Sequence, residues 1–506
     1  VTGSGARPGP TFVVIGGGVS GLSAARALAG APALGGAALS GPSEPEGRVV
    51  LLEASGRLGG KVLTGELPFG RIELGPDQFL RRDRSAEAWC RELGLGERLV
   101  EPRGRTAGVL CRGVLRPLPG GLVLGVPTDV GAVEESGLVS EDGLSRLRQD
   151  GEGAATPLGA GELGLGDEPP GPETERSAGA ILRERLGDEV VDRLVDPLLG
   201  GINAGGVDHL SLATVAPALA KALLGARGVM AALRPLARPA GGAEAPATPF
   251  LGLRGGLSQL VEAAGKDLVE RGVELRLGAD VEDLSLTGAG TVRVRLSDGE
   301  LLGADGVVLA VPAAAAARLL RTAVPGAAAI LAEVPSASVA VVTFAFAGRP
   351  ELRPGWTGFL VPRLEGRLMT AVTFLSEKWP WTLEEAGGSS AGAPQCLLRV
   401  SAGRFDDERQ LSYDDGELAR LLLGELGDVL ELPGDPLTSH VQRWPGSFPQ
   451  YLPGHRARVE ALEGLLAGTT LTVAGPVLGG IGVPACVSSG ERAAARLASS
   501  AAGRRS

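Results

Sequence analysis

The feature that most constrains this chain is its opening unit. The apolar run Thr11-Phe12-Val13-Val14-Ile15 leads into Gly16-Gly17-Gly18-Val19-Ser20-Gly21, then a helical stretch carrying Leu22, Ala25 and Leu28, then Val49-Val50-Leu51-Leu52 ending on Glu53. Strand, G-x-G-x-x-G turn, helix, second strand and closing acid form the arrangement a dinucleotide requires. The glycines let the backbone turn tightly and approach a pyrophosphate, the helix N-terminus presents unpaired N–H groups and partial positive charge, and Glu53 can accept a ribose hydroxyl. In a chain with 80 glycines the glycine motif alone would carry little weight; its flanks give it meaning. About 20 residues usually separate the glycines from the acid. Here the interval is longer, and the excess, Pro32 to Gly47, is Gly/Pro/Ser-rich and is expected to be a loop inserted between helix and strand.

The run Ala54-Ser55-Gly56-Arg57-Leu58-Gly59-Gly60-Lys61 follows the acid at once. A chain wrapping round a pyrophosphate could supply N–H groups and positive charge from such a segment, which a nicotinamide enzyme does not need. The pattern E-x-x-x-R-x-G-G from Glu53 to Gly60 resembles that of amine-oxidase-type flavoproteins, and the resemblance implies FAD, with Ala54, Ser55, Arg57, Gly60 and Lys61 among its contacts.

Further motifs make the resemblance more specific. Ile72-Glu73-Leu74-Gly75-Pro76-Asp77-Gln78-Phe79-Leu80, Asp196-Pro197-Leu198-Leu199-Gly200-Gly201-Ile202 with Leu210-Ser211-Leu212, and Leu253-Arg254-Gly255-Gly256-Leu257 come first. Gly358 to Pro362, Lys378-Trp379-Pro380, Arg443-Trp444 with Pro449-Gln450-Tyr451, and Ala474-Gly475 leading to Gly480-Ile481-Gly482-Val483-Pro484 follow. Together they resemble, in order from about residue 12 to residue 497, the bacterial porphyrinogen oxidases of haem biosynthesis. That family has a branch acting on protoporphyrinogen IX and another, typical of Gram-positive-type bacteria, that turns coproporphyrinogen III into coproporphyrin III. Both use FAD and molecular oxygen and release hydrogen peroxide, and the motifs alone do not separate them. The resemblance implies cofactor contacts at Gly75, Pro76, Asp77, Gln78, Trp444, Gly475, Gly480, Ile481, Gly482 and Val483, with the backbone at Val281 near the adenine. Asp77 is equally readable as a turn residue.

The expected fold is α/β: an FAD-binding Rossmann-like domain with a mixed-sheet substrate domain and a helical subdomain. Cofactor-like segments recur at 11–85, 250–315 and 440–498, which reads as a discontinuous FAD-binding domain. Residues 86–215 are expected to form a helical subdomain, from apolar positions at three- and four-residue spacing between Ile181 and Leu198, with Gly151 to Pro172 as an exposed acidic loop. Residues 216–249 read as a helix and linker, and 316–439 as the substrate domain, with strand-like runs at Val339 to Phe344 and Leu397 to Val400. The run Gly490 to Leu497 is helical in pattern, so a second helix N-terminus is expected to face the flavin at Gly480 to Val483.

The chemistry asks little of acid–base side chains, since the flavin N5 can take hydride from a bridging carbon of a stacked porphyrinogen; no catalytic side chain is nominated. Substrate carboxylates need cations, and Arg81 and Arg82 are the candidates, although surface arginines would read the same way. Phe359 is a candidate for substrate contact and equally for core packing. The net charge of −10 argues against nucleic acid as a partner. Four dispersed cysteines and three histidines form no metal-like spacing, so no metal is expected and the thiols read as reduced. No N-terminal signal and no apolar stretch long enough for a bilayer is visible, so a cytoplasmic protein is expected, with peripheral membrane contact left open. Coproporphyrinogen III oxidase is the leading reading; a protoporphyrinogen IX oxidase, another FAD oxidoreductase of the amine-oxidase type, or a flavin-binding scaffold are the alternatives.

Overall fold

The computed structural model describes residues 9–30, 47–68, 70–104, 106–153, 155–237, 248–288, 290–385 and 393–505. The inserted loop expected at 32–47 lies almost wholly outside these, as does the linker at 238–247.

The opening strand Thr11–Ile15 is the middle of a five-stranded sheet, flanked on one side by Arg48–Glu53 and then Glu274–Leu277, on the other by Gly306–Leu309 and then Leu471–Val473. All four pairings are parallel. A parallel sheet is buried on both faces, which is why its strands read as unbroken apolar runs. Alternation still assigns the faces. Phe12 and Val14 pack with the helices Val19–Leu28, Ser258–Glu270 and Val483–Arg505, whereas Val13 and Ile15 pack with a three-stranded antiparallel layer and the helices Ala313–Leu320, Pro325–Ala332 and His455–Leu466.

A second, mixed sheet has seven strands in the order Thr438–Pro449, Ser336–Phe346, Cys396–Ala402, Met369–Phe374, Trp356–Leu360, Thr106–Cys111 and Val114–Pro117. Its neighbours are antiparallel except for Trp356–Leu360 beside Thr106–Cys111. Val342, Phe344 and Phe346 face the helix Asp415–Gly427, and Ala345 and Leu397 face Ile72, Leu74 and Trp379 on the other side. A helical lobe completes the structure, built on the core of Leu144, Ile181, Leu182, Val190, Leu194, Leu219 and Leu233. It includes Val191–Gly200, which is wound as a π-helix with Pro197 inside it.

The segmentation differs from the expectation in three places. Residues 106–117, expected to be helical, form a hairpin at the edge of the seven-stranded sheet. Its turn is Arg112-Gly113, both left-handed at φ 53° and 76°, the twist that matches paired strands, and the Glu365 carboxylate accepts both turn N–H groups. Thr438–Pro449 belongs to the seven-stranded sheet rather than to the dinucleotide domain, because it pairs with Ser336–Phe346. The described residues of 152–172 hold no helix or strand, but the loop is not simply exposed: Leu158 and Leu163 are buried in the helical core.

Candidate functional site

At the end of the first strand the chain turns through Gly16 (φ 103°) and enters the helix Val19–Leu28 at Gly18, with no side-chain cap. The first N–H groups of that helix have no intrahelical partner, and Gly18, Val19 and Ser20 line a cavity. Two glycines are fixed by contact. A Cβ on Gly21 would lie 1.8 Å from the Gly16 carbonyl oxygen, and one on Gly16 would lie 2.5 Å from that of Ala310. Gly18 differs: nothing lies within 4 Å of its Cβ position, so the space beside it is left for a bound group.

The second glycine run docks on the first. Gly59 donates its N–H to the Gly17 carbonyl at 2.8 Å, and Gly18 and Gly59 form an isolated parallel bridge. Glu53, at the end of the second strand, accepts the Gly17 N–H at 2.6 Å and the Ser55 N–H at 2.8 Å. Lys61 turns into the cavity, where burial pulls its ammonium pKa down, opposed in part by the Cys486 thiol. Arg57 does not face the cavity. Its guanidinium donates to the carbonyls of Leu58, Gly60 and Val62, so the charge is taken up in shaping the turn. Ser55 is likewise outside the lining, its hydroxyl donating to the Arg57 carbonyl.

The C-terminal helix Val483–Arg505 lies against Val19–Leu28 so closely that a Cβ on Gly490 would sit 2.2 Å from the Ser20 carbonyl oxygen. Both helix N-termini consequently point into one cavity, with Gly480, Ile481, Gly482 and Val483 on its wall. Gly475 stands behind the wall, at φ 113° with its N–H donated to Ser489, and turns the chain so that Pro476 and Val477 reach the lining. Val281 lines the cavity beside Glu53, whose carbonyl accepts the Ala279 N–H at 2.9 Å.

The segment Leu74 to Gln78 forms the wall between the two sheets. Leu74, Gly75, Pro76 and Gln78 line the cavity, and the Trp444 indole, also on the wall, donates to the Leu74 carbonyl at 2.8 Å. Asp77 points the other way. It is buried, accepts from Lys378 Nζ at 2.6 Å and from the Trp379 indole at 2.8 Å, and lies 3.4 Å from the Arg399 guanidinium. Arg399 also donates to the carbonyls of Glu73 and Gly75. Asp77 thus anchors the wall from behind rather than touching a cofactor. Phe359 is also corrected: it is 1% exposed and meets Phe374 edge-on at 6.1 Å in the core under the helix Asp415–Gly427. Its place in the strand turns it away from the cavity.

Next to Asp77, Glu73 is buried and accepts hydrogen bonds from the Leu257 N–H and the Thr64 hydroxyl. Burial pushes its carboxyl from 4.5 up to about 8, more than these bonds pull it down. The folded group keeps its proton to higher pH than the unfolded one, so its contribution to stability is complete below the unfolded pKa and is lost as pH rises toward about 8. Glu73→Gln, which cannot ionise, is expected to flatten the decline in urea midpoint between pH 4.5 and about 8. A variant that keeps the wild-type slope would show that another group sets it.

The cavity as a whole measures about 2190 Å³. From the glycine loops it runs between the sheet residues Val339 and Val341, Tyr451 and the helical-lobe residues Leu199, Ile202 and Asn203, and it ends beside Arg81, Arg82 and Arg84. Its donor set fits an extended dinucleotide: two helix N-termini, the first of them without a side-chain cap, two apposed glycine loops, an acid at the end of the second strand and a lysine. Among the described residues Gln78 Oε1 and Ser447 Oγ, both on lining residues, are buried side-chain oxygens with no protein hydrogen-bond partner. Tyr451, expected only as part of a motif, and Cys486, expected only as one of four reduced thiols, are both on the wall. Tyr451, one of two tyrosines in the chain, donates its hydroxyl to the Pro476 carbonyl at 2.6 Å. Among the described residues no group of His, Cys, Asp and Glu is placed to hold a metal ion, and no helix is long and apolar enough to cross a membrane.

Comparison with known proteins adds to this geometry. The family of flavin-containing amine oxidoreductases matches residues 19–498. The coproporphyrinogen III oxidase of Bacillus subtilis (strain 168) is 32% identical over 487 residues, covering 95% of this chain and 96% of that protein. The protein of the same name from Mycobacterium bovis is 34% identical over 484 residues, 96% of each, and the protoporphyrinogen oxidase of Bos taurus is 30% identical over 517 residues, 97% and 98%. A solved structure from Exiguobacterium sp. 255-15, provisionally assigned as a protoporphyrinogen oxidase, superposes with a TM-score of 0.77 at 29% identity over 96% of this chain and 97% of that one. Cyclohexylamine oxidase from Brevibacterium oxydans shares the fold, with a TM-score of 0.64 at 18% identity over 97% and 99% of the two chains.

Proposed function

The chain belongs to the flavin-containing amine oxidoreductase family, and from that premise we propose that it carries out the six-electron oxidation of coproporphyrinogen III to coproporphyrin III in haem biosynthesis. FAD is its cofactor. The observation that carries the reading is one continuous cavity of about 2190 Å³, against about 300–1,000 Å³ for an ordinary small-molecule pocket. It joins a dinucleotide cradle to an apolar basin and an arginine-bearing mouth, which suits a flat apolar ring with carboxylates on its edge.

When bound, the flavin supplies a two-electron acceptor for hydride leaving a bridging carbon. The chain's own part is placement, exclusion of water and electrostatics. Val339, Val341, Tyr451 and Trp444 wall the space in which the ring is held. The N–H groups at Gly480 to Val483 and the Lys61 ammonium favour negative charge at the cofactor, and the Glu53 carboxylate, the Gly16–Gly21 turn and Val281 hold the adenosine half. We assign no acid–base side chain. Six electrons and six hydrogens leave the substrate in three rounds while three molecules of oxygen become hydrogen peroxide, so the reaction balances with oxygen as acceptor. A cytoplasmic location accompanies the reading, supported by four buried and unpaired thiols.

Protoporphyrinogen IX is the second reading, favoured by the similarity to the Bos taurus protein over nearly the whole chain. The test is anaerobically prepared coproporphyrinogen III against protoporphyrinogen IX, each mixed in air with FAD-loaded protein while porphyrin fluorescence and peroxide are followed. Faster turnover of coproporphyrinogen III is expected. Preference for protoporphyrinogen IX would move the protein to the other branch, and no turnover of either would return it to the wider flavin family.

A further inference from the structure

The mouth of the cavity carries arginines that are not equivalent. Arg81, Arg82, Arg84 and Arg91 all border it. Arg81 is held by Glu101 at 2.9 Å and Glu87 at 3.5 Å, and Arg91 by Glu87 at 2.8 Å. Asp83, the acid between them, accepts instead from the Ser85 N–H and hydroxyl at 3.1 and 2.8 Å. Among the described residues Arg82 and Arg84 have no carboxylate partner, and both are exposed. Two guanidinium groups thus stand uncompensated at the edge of a mainly apolar cavity in a chain of net charge −10.

Their surroundings fix the ligand chemistry. Leu80, Ile202 and Leu236 line the same cavity although they are 48%, 51% and 44% exposed, so the lining combines open apolar side chains with a cationic edge. The Ser85 hydroxyl, whose proton goes to Asp83, also lies 3.3 Å from the Pro484 carbonyl, which places this edge against the start of the helix Val483–Arg505. Both this edge and the wall formed by Gly480 to Val483 line the one cavity.

We propose that Arg82 and Arg84, and not Arg81, are the residues that bind the peripheral carboxylates of the substrate. The assignment rests on the porphyrinogen reading and deepens it. Arg81 would have to leave two carboxylates of the protein to take one from a ligand, whereas Arg82 and Arg84 have only water to lose. Guanidinium–carboxylate bonds at an exposed edge are individually modest and screened by salt, so the pair is expected to act on binding, and through binding on KM, with little change in kcat.

The experiment uses coproporphyrin III and its tetramethyl ester, which has the same ring and no charge. Each is titrated by fluorescence into the FAD-loaded wild type and the Arg82→Gln/Arg84→Gln protein at low and high salt. The double variant should weaken binding of the acid by on the order of tenfold, leave binding of the ester within about twofold, and lose most of the salt dependence. Arg81→Gln should have the smaller effect on the acid. The assignment is overturned if the double variant weakens acid and ester alike, if it weakens neither, or if Arg81→Gln has the larger effect. A wild type that binds neither porphyrin and oxidises neither porphyrinogen would overturn the underlying reading as well, which separates the two failures.

Discussion

Asp77→Asn is expected to lower the stability of the protein by about 3–5 kcal/mol, the loss typical when one partner of a buried ion pair is removed and the other charge stays behind. Lys378 and Arg399 both face this carboxylate, and Asp77 and Lys378 are 8% and 9% exposed. Burial alone would raise the Asp77 pKa, yet the two cations and the Trp379 indole hold it well below the usual carboxylate range. A depressed folded pKa means that the stabilisation is present above the unfolded pKa of 3.8 and is lost as pH falls toward the folded one. The urea midpoint at neutral pH measures the effect. Asp77→Asn/Lys378→Met, which removes one stranded cation, should recover part of the loss. A single variant as stable as wild type would show that the wall from Leu74 to Gln78 is held by packing, with the charges incidental.

Gly21→Ala is expected to yield protein with less than about a tenth of the wild-type flavin content. Local propensity predicts the opposite, since alanine inside a helix is favoured over glycine by about 1 kcal/mol. The contact decides, because the new methyl would lie 1.8 Å from the Gly16 carbonyl oxygen. Both positions are backbone within the same turn, so no side chain can yield, and either the helix slides outward or the turn opens. Each movement displaces the N–H groups that face the cavity. Gly18→Ala makes the useful contrast: its methyl meets no protein atom within 4 Å, so it should fold normally and reduce flavin affinity only by intruding on the ligand. The flavin-to-protein absorbance ratio after purification with added FAD reads both, and flavin content near wild type in Gly21→Ala would refute the steric account.

What the sequence made legible is local. The first strand, the glycine turn, the helix and Glu53 are read from one short stretch because the physics that links them acts between near neighbours, and the second glycine run follows directly. Gly480 to Val483 was legible for the same reason, as a glycine-rich entry to a helix. The failures involve partners chosen by the tertiary fold. Asp77 carried the look of a turn or a ligand contact, but its partner Lys378 lies 301 residues further on, and no spacing rule reaches that far. Arg57 promised charge for a pyrophosphate, yet its nearest acceptors turned out to be the three carbonyls of its own loop. Phe359 depended on which face of a strand meets the helix Asp415–Gly427, and that is settled by pairing register. The hairpin at 106–117 did have a local signal in Arg112-Gly113, which helical periodicity further along the segment obscured.

The closeness of the helices Val19–Leu28 and Val483–Arg505 bears on how the holoprotein is made. The two lips of the cofactor cradle are far apart in the chain, with the helix Val19–Leu28 made long before Val483–Arg505, and the fifth strand of the parallel sheet, Leu471–Val473, comes just before the second lip. Capture of the flavin accordingly waits for the second lip, and until then the first helix lacks the part of its covering that Val483–Arg505 supplies.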